Sequence, residues 1–251
     1  MAEVAAAASS GRASQGFLPG IAAGAAALLA EGDRGGGSGV ALRTADLASC
    51  VDAIAEIFDH MGPVLHFARA DMTSKVESLR SVAPQRPTLA EVVESDKAAG
   101  TLTTRGSPAR NLHRLTAVIT FMRVLLEQML ADRNAQLKDV AYRAYEQSLA
   151  HIHPYVVRTA VWAGVWVVPA RDTFLRSIGE TEDSAAGPAR AFVRDAAAIE
   201  AAVLSLFKGT TMPASDAAPA GFGGVGASAG TGTGGSWSSW WAGTPQQANT
   251  S

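Results

Sequence analysis

The sequence predicts an all-helical protein, and three observations carry that prediction. Apolar residues recur at i, i+3, i+4 spacing through the middle of the chain, prolines and glycines fall between those runs, and no run alternates as a strand would. Residues 44–208 form a stretch of about 165 residues, enough for one domain with a real hydrophobic core. Residues 1–43 and 209–251 are rich in Ala, Gly, Ser and Thr. Such composition buries too little apolar area to offset chain entropy, so both flanks are expected to be disordered tails. Their removal, as residues 1–40 and 213–251, is expected to leave folding nearly intact.

The elements follow in order. From Thr44, Leu47, Val51, Ile54, Ile57 and Phe58 form a helical stripe with Cys50 on the same face, and Gly62-Pro63 ends it. Pro63 is placed to open a second helix running to about Val82. After Pro84 and Pro87 comes a short helix, Leu89 to Ala98, and then loop from Gly100 to Gly106. Ser107-Pro108 reads as an N-cap and a first-turn proline opening a long helix to Leu130. A further helix covers Asp139 to Ile152, and Pro154 starts the next segment. Tyr155 to Val168 is apolar nearly all round, apart from Arg158 and Thr159, which predicts a buried helix. A last helix spans Pro188 to Phe207.

Composition narrows the function. A formal net charge of −2 with no basic run gives no field to attract nucleic acid. Cys50 is the single cysteine, so neither a disulfide framework nor a Cys-rich metal site is expected, which fits a reducing, cytoplasmic setting. The apolar stretch from Phe17 to Ala30 contains Pro19, Gly20 and Gly24 and falls short of the roughly 20 residues that span a bilayer. Only Arg12 precedes it, against the basic region a secretory signal needs; the Ala/Ser content leaves a plastid transit peptide as an alternative. Trp237, Trp240 and Trp241 in the C-terminal flank are read as solvated, with a membrane-interface role as the competing reading. Nucleophile-elbow, P-loop, dinucleotide and HExxH patterns are missing.

Charged residues then stand where core is expected. On the second helix the stripe Val64, Leu65, Ala68, Met72, Val76 and Leu79 takes in Lys75, with Asp71 one turn earlier at its edge. An i, i+4 Asp/Lys pair is ordinarily a surface ion pair, which fits a core-side position poorly. On the long helix Arg110 and Arg114 flank the stripe Leu112, Leu115, Ile119, Met122, Leu126 and Met129 near its N-terminus. Cations there oppose the macrodipole, so local stability does not account for them, whereas guanidinium groups match phosphate oxygens. His153, beside a helix break, completes a set that suggests a polar recognition cap over an apolar cavity; His151 is expected to point elsewhere.

These residues sit in four stretches: FARADMTSKVESL at 67–79, SPARNLHRL at 107–115, AYEQSLAHIHPYVVR at 144–158 and VVPARDTFL at 167–175. With them the chain resembles the glycolipid transfer protein family, and within it the ceramide 1-phosphate transfer branch that includes the plant accelerated-cell-death proteins. The resemblance covers roughly 44–208 and implies a two-layer sandwich of about eight helices enclosing a single lipid pocket. It implies that Asp71 accepts from the ceramide amide N–H, that His153 donates to the acyl carbonyl, and that Lys75, Arg110 and Arg114 hold the phosphate. Arg114 stands where glycolipid-binding members stack a tryptophan on sugar, which points to phosphate. The chain departs from the family pattern at Leu115-Thr116-Ala117-Val118 and at Pro154-Tyr155.

The function expected is non-enzymatic transfer of ceramide 1-phosphate between membranes through the cytosol, with transient contact at the membrane surface and no cofactor, metal or nucleic acid. A sphingolipid-sensing scaffold acting through a protein partner is the alternative, and an enzyme on a helical bundle a distant third.

Overall fold

The computed structural model describes residues 16–33, 41–62, 65–210 and 212. In chain order the helices are α1 (Phe17–Asp33), α2 (Thr44–Ala55), the single turn α3 (Ile57–His60), α4 (His66–Val82), α5 (Leu89–Ala98), α6 (Pro108–Ala131), α7 (Leu137–Ser148), α8 (Tyr155–Gly164), α9 (Arg171–Ser177) and α10 (Glu182–Leu206). Tight 3₁₀ turns at Ala150–Ile152 and Val165–Val167 follow α7 and α8. Among the described residues the only extended pairing is one isolated bridge, Arg43 with Thr88, which ties the start of α2 to the start of α5.

The long helix α6 is the centre of the packing, with α10, α7 and α4 laid against it and α2 packed mainly on α4. Its predicted stripe is buried along its whole length: Leu112, Leu115, Ile119, Met122, Leu126 and Met129 all lie in the core. The α2 stripe does the same through Leu47, Cys50, Val51 and Ile54. Thr88 caps α5 in a capping box with Glu91, satisfying N–H groups that the first turn leaves without helical partners. Arg171 fastens the far end of α6. It donates from Nε to Glu182 (2.6 Å) and from its terminal nitrogens to the carbonyls of Asp132 (2.8 Å) and Met129 (2.7 Å), so one side chain joins α6, α9 and α10.

Three expectations need correction. The N-terminal flank is not wholly a disordered tail: Phe17–Asp33 forms α1, packed on α10 and α2. Leu18, Ile21, Ala25 and Leu28 are at most 2% exposed. Alanine-rich composition hid this, because small residues supply close approach between helices while a few branched ones supply the burial. The remainder of that flank (1–15 and 34–40), and residues 213–251 with Trp237, Trp240 and Trp241, lie outside the described residues, as do Pro63 and Val64. Secondly, α10 begins at Glu182, capped by Thr181 in a box with Ser184, and carries Pro188 in its interior rather than at its start. Thirdly, α8 is not buried all round: Tyr155 is 83% exposed, Trp166, in the following turn, 62% and Trp162 54%.

Candidate functional site

On α4 the i, i+4 spacing brings Asp71 and Lys75 into an ion pair, with the lysine Nζ donating to Oδ1. Their side chains are 17% and 23% exposed, so the pair sits at the edge of the core rather than free in solvent. On α6 the first turn is held twice over. Ser107 Oγ accepts from the Arg110 backbone N–H (3.3 Å), and the carboxylate of Asp96 accepts from the Ala109 N–H (2.7 Å). Asp96 is 4% exposed and paired with Arg86 at 3.3 Å. An anion therefore already occupies this helix N-terminus, offsetting the macrodipole that Arg110 and Arg114 oppose. The orphan N–H groups there are taken, and an incoming phosphate would meet guanidinium groups rather than backbone.

Arg110 is half-buried, and Arg114, one turn further on, is 6% exposed. Arg114 donates to His113 Nδ1 at 2.8 Å. His151, expected to point elsewhere, is exposed at the surface; partial desolvation and then the Arg114 charge lower its pKa below the usual histidine value.

His153 follows that turn and faces Tyr145 of α7, with Nδ1 3.1 Å from the phenol oxygen and the rings 5.6 Å apart. Burial pushes the Tyr145 pKa far up, so the phenol keeps its proton and can donate it to Nδ1, leaving Nε2–H as the donor of the ring. Both Asp71 and His153 line one apolar cavity of about 80 Å³, whose other walls include Phe58, Met72, Phe121 and Tyr145. Lys75, Arg110 and Arg114 are not among its lining residues. The polar side chains in the cavity wall are thus Asp71 and the Tyr145–His153 pair, and the three cations are outside its lining.

Residues 42–180, more than half of the chain, match the family model described as glycolipid transfer protein. The chain belongs to the glycolipid transfer protein family. It is 34% identical over 143 residues to the "ACD11 homolog protein" of Arabidopsis thaliana, covering 57% of this chain and 62% of that relative, so the match spans less than two thirds of the relative's length. It is 26% identical over 144 residues to the ceramide-1-phosphate transfer protein of Xenopus laevis, covering 52% of this chain and 67% of that one. Among solved structures, a mutant of Arabidopsis ACD11 complexed with ceramide-1-phosphate superposes with a TM-score of 0.74 at 24% identity, over 80% of this chain and 98% of that chain. Human ceramide-1-phosphate transfer protein, in complex with its namesake lipid, gives a TM-score of 0.66 at 16% identity, over 75% and 94%. These likenesses establish the two-layer helical sandwich of the glycolipid transfer protein fold, and the relatives by sequence match the ceramide 1-phosphate transfer branch.

Several residues around this glycolipid transfer protein site escaped the sequence reading. Asp96 reaches Ala109 across a loop, and His113 meets both its neighbour Arg114 and the distant Phe207 ring, contacts that no spacing rule encodes. The two faces of α8 were readable in principle. Val161 of α8, with Val165 and Val168 in the turn after it, lines the cavity, while Tyr155, Trp162 and Trp166 are exposed. Lys138 lies 4.6 Å over the Trp166 ring. Cys50 is buried, its thiol pushed up to about 12, so it stays protonated and unreactive. Among the described residues no group of His, Cys, Asp or Glu could hold a metal ion, and no helix is long and apolar enough to cross a membrane.

Proposed function

We propose that this chain carries ceramide 1-phosphate between membranes through the cytosol without changing it chemically. One observation carries the reading: an acid and a histidine open onto an apolar cavity, and three cations lie on α4 and α6, two of the helices that wall it. A ceramide needs an acceptor for its amide N–H and a donor for its acyl carbonyl, roles that suit Asp71 and His153. A phosphate monoester needs charge-assisted donors, which Lys75, Arg110 and Arg114 can supply. The names of the relatives support the same ligand class.

At about 80 Å³ the cavity is far below the roughly 300–1,000 Å³ of ordinary ligand sites, so lipid chains enter only if helices part. The wall best suited to move is α8 with the turn after it, which lines the cavity through Val161 and Val165 and exposes Tyr155, Trp162 and Trp166. A membrane surface would cover Tyr155, Trp162 and Trp166, since indole and phenol rings favour the interface.

The test is a vesicle transfer assay across ceramide 1-phosphate, glycosylceramide, sphingomyelin and phosphatidic acid. Ceramide 1-phosphate should move and neutral glycosylceramide should not. Equal or faster glycosylceramide transfer would overturn the headgroup assignment, and tight binding of ceramide 1-phosphate without transfer would favour a sensing scaffold.

A further inference from the structure

We infer that His113 is a positioning residue for the phosphate site: its imidazole accepts from Arg114 and fixes the buried guanidinium before any ligand arrives. The inference rests on the headgroup reading above. Successive residues on a helix do not face each other, so a contact between positions 113 and 114 does not come from helix geometry. Arg114 has to bend back along α6 to reach Nδ1 at 2.8 Å. The ring that receives it is held from a second element, because Phe207, at the end of α10, meets His113 edge-on with centroids 5.2 Å apart and an interplanar angle of 82°.

The chemistry of the contact is one-sided. A guanidinium has five donors and no acceptor, so Nδ1 must present its lone pair and the ring hydrogen belongs to Nε2. A carboxylate in that place would hold the arginine but set a negative charge beside the phosphate site. An imidazole holds it without bringing a negative charge of its own. A guanidinium already in place loses less side-chain freedom when phosphate binds, which is where positioning becomes affinity. No residue type other than one with a neutral acceptor at this reach reproduces the arrangement.

The experiment compares binding of a short-chain ceramide 1-phosphate, and of the corresponding ceramide without phosphate, to the full chain and to His113→Leu, His113→Gln and Arg114→Leu. Because His113 acts on the phosphate only through Arg114, its loss should cost about the ordinary net worth of one hydrogen bond, so His113→Leu weakens ceramide 1-phosphate binding about three- to tenfold. Ceramide binding should stay as in the wild type, and His113→Gln, whose amide oxygen can accept, should recover most of the loss. Wild-type affinity in His113→Leu overturns the inference, as does a glutamine variant as weak as the leucine one, which would mean that packing on Phe207 is what counts. If Arg114→Leu weakens binding while His113→Leu does not, only the positioning role is lost; if Arg114→Leu binds as the wild type does, the phosphate assignment falls and this inference with it. Nitrogen NMR of the wild type keeps the test independent of variant folding: at mildly alkaline pH His113 should show the Nε2–H tautomer, and an Nδ1–H tautomer would overturn the assignment.

Discussion

A buried arginine carries a desolvation cost that its partners, in the protein or in a ligand, have to repay. If Arg114 serves a phosphate of charge near −2, its replacement by leucine removes charge-assisted hydrogen bonds from the complex and removes like-charge repulsion from the free protein. Arg114→Leu should therefore weaken ceramide 1-phosphate binding by about 1.5–3 kcal/mol, while the ligand-free protein keeps its stability or gains a little. Thermal melts with and without ceramide 1-phosphate decide the matter. A variant that melts far lower without lipid yet shows the wild-type ligand-induced shift would mean a structural arginine. The Asp71–Lys75 pair was legible in the sequence because i, i+4 spacing on a helix is a local rule. Asp96 was not: it reaches the start of α6 across the loop after α5, and its carboxylate supplies the anion whose absence had made the two arginines look unaccountable.

At the scale of the element, α8 is the case where the sequence pattern was read correctly and interpreted in only one of its two ways. A helix apolar all round is buried either in protein or in lipid, and this one has a cavity on one side and open surface on the other. Because Trp162 and Trp166 are more than half exposed, replacing both with serine should leave the melting temperature nearly unchanged, as surface substitutions usually do within about 0.5 kcal/mol. Vesicle binding and the transfer rate should both fall, while affinity for a short-chain ceramide 1-phosphate in solution is kept. Transfer at the wild-type rate by the double variant would remove α8 from the membrane contact. The start of α10 was misplaced for a different reason. Thr181 and Ser184 form a capping box with serine in the position usually held by Glu or Gln, and Pro188 was the louder signal.

For the whole molecule, the question is where the cooperative unit begins. The apolar stripes of α2, α4 and α6 made the core from Leu42 onward readable, since each stripe is dense in branched residues. In α1 only Leu18, Ile21 and Leu28 carry large buried side chains, spread among alanines and glycines, and the composition masked the face they share. That face closes the sandwich over α10 and α2. Deletion of residues 1–40 would strip it away, opposite to what the composition alone suggests, and should lower the melting temperature sharply rather than leave it intact. Point changes separate packing from mere truncation. Ile21 is 1% exposed, so Ile21→Ala should cost about 2–5 kcal/mol, the usual loss for a large-to-small change in a close-packed core. Ala27 lies on the exposed face of the same helix, and Ala27→Ser should stay within about 0.5 kcal/mol of the wild type. Chemical denaturation of the three proteins gives the answer. Should the deletion and Ile21→Ala both unfold at the wild-type midpoint, α1 would be an appendage, and the domain would begin at Thr44 after all.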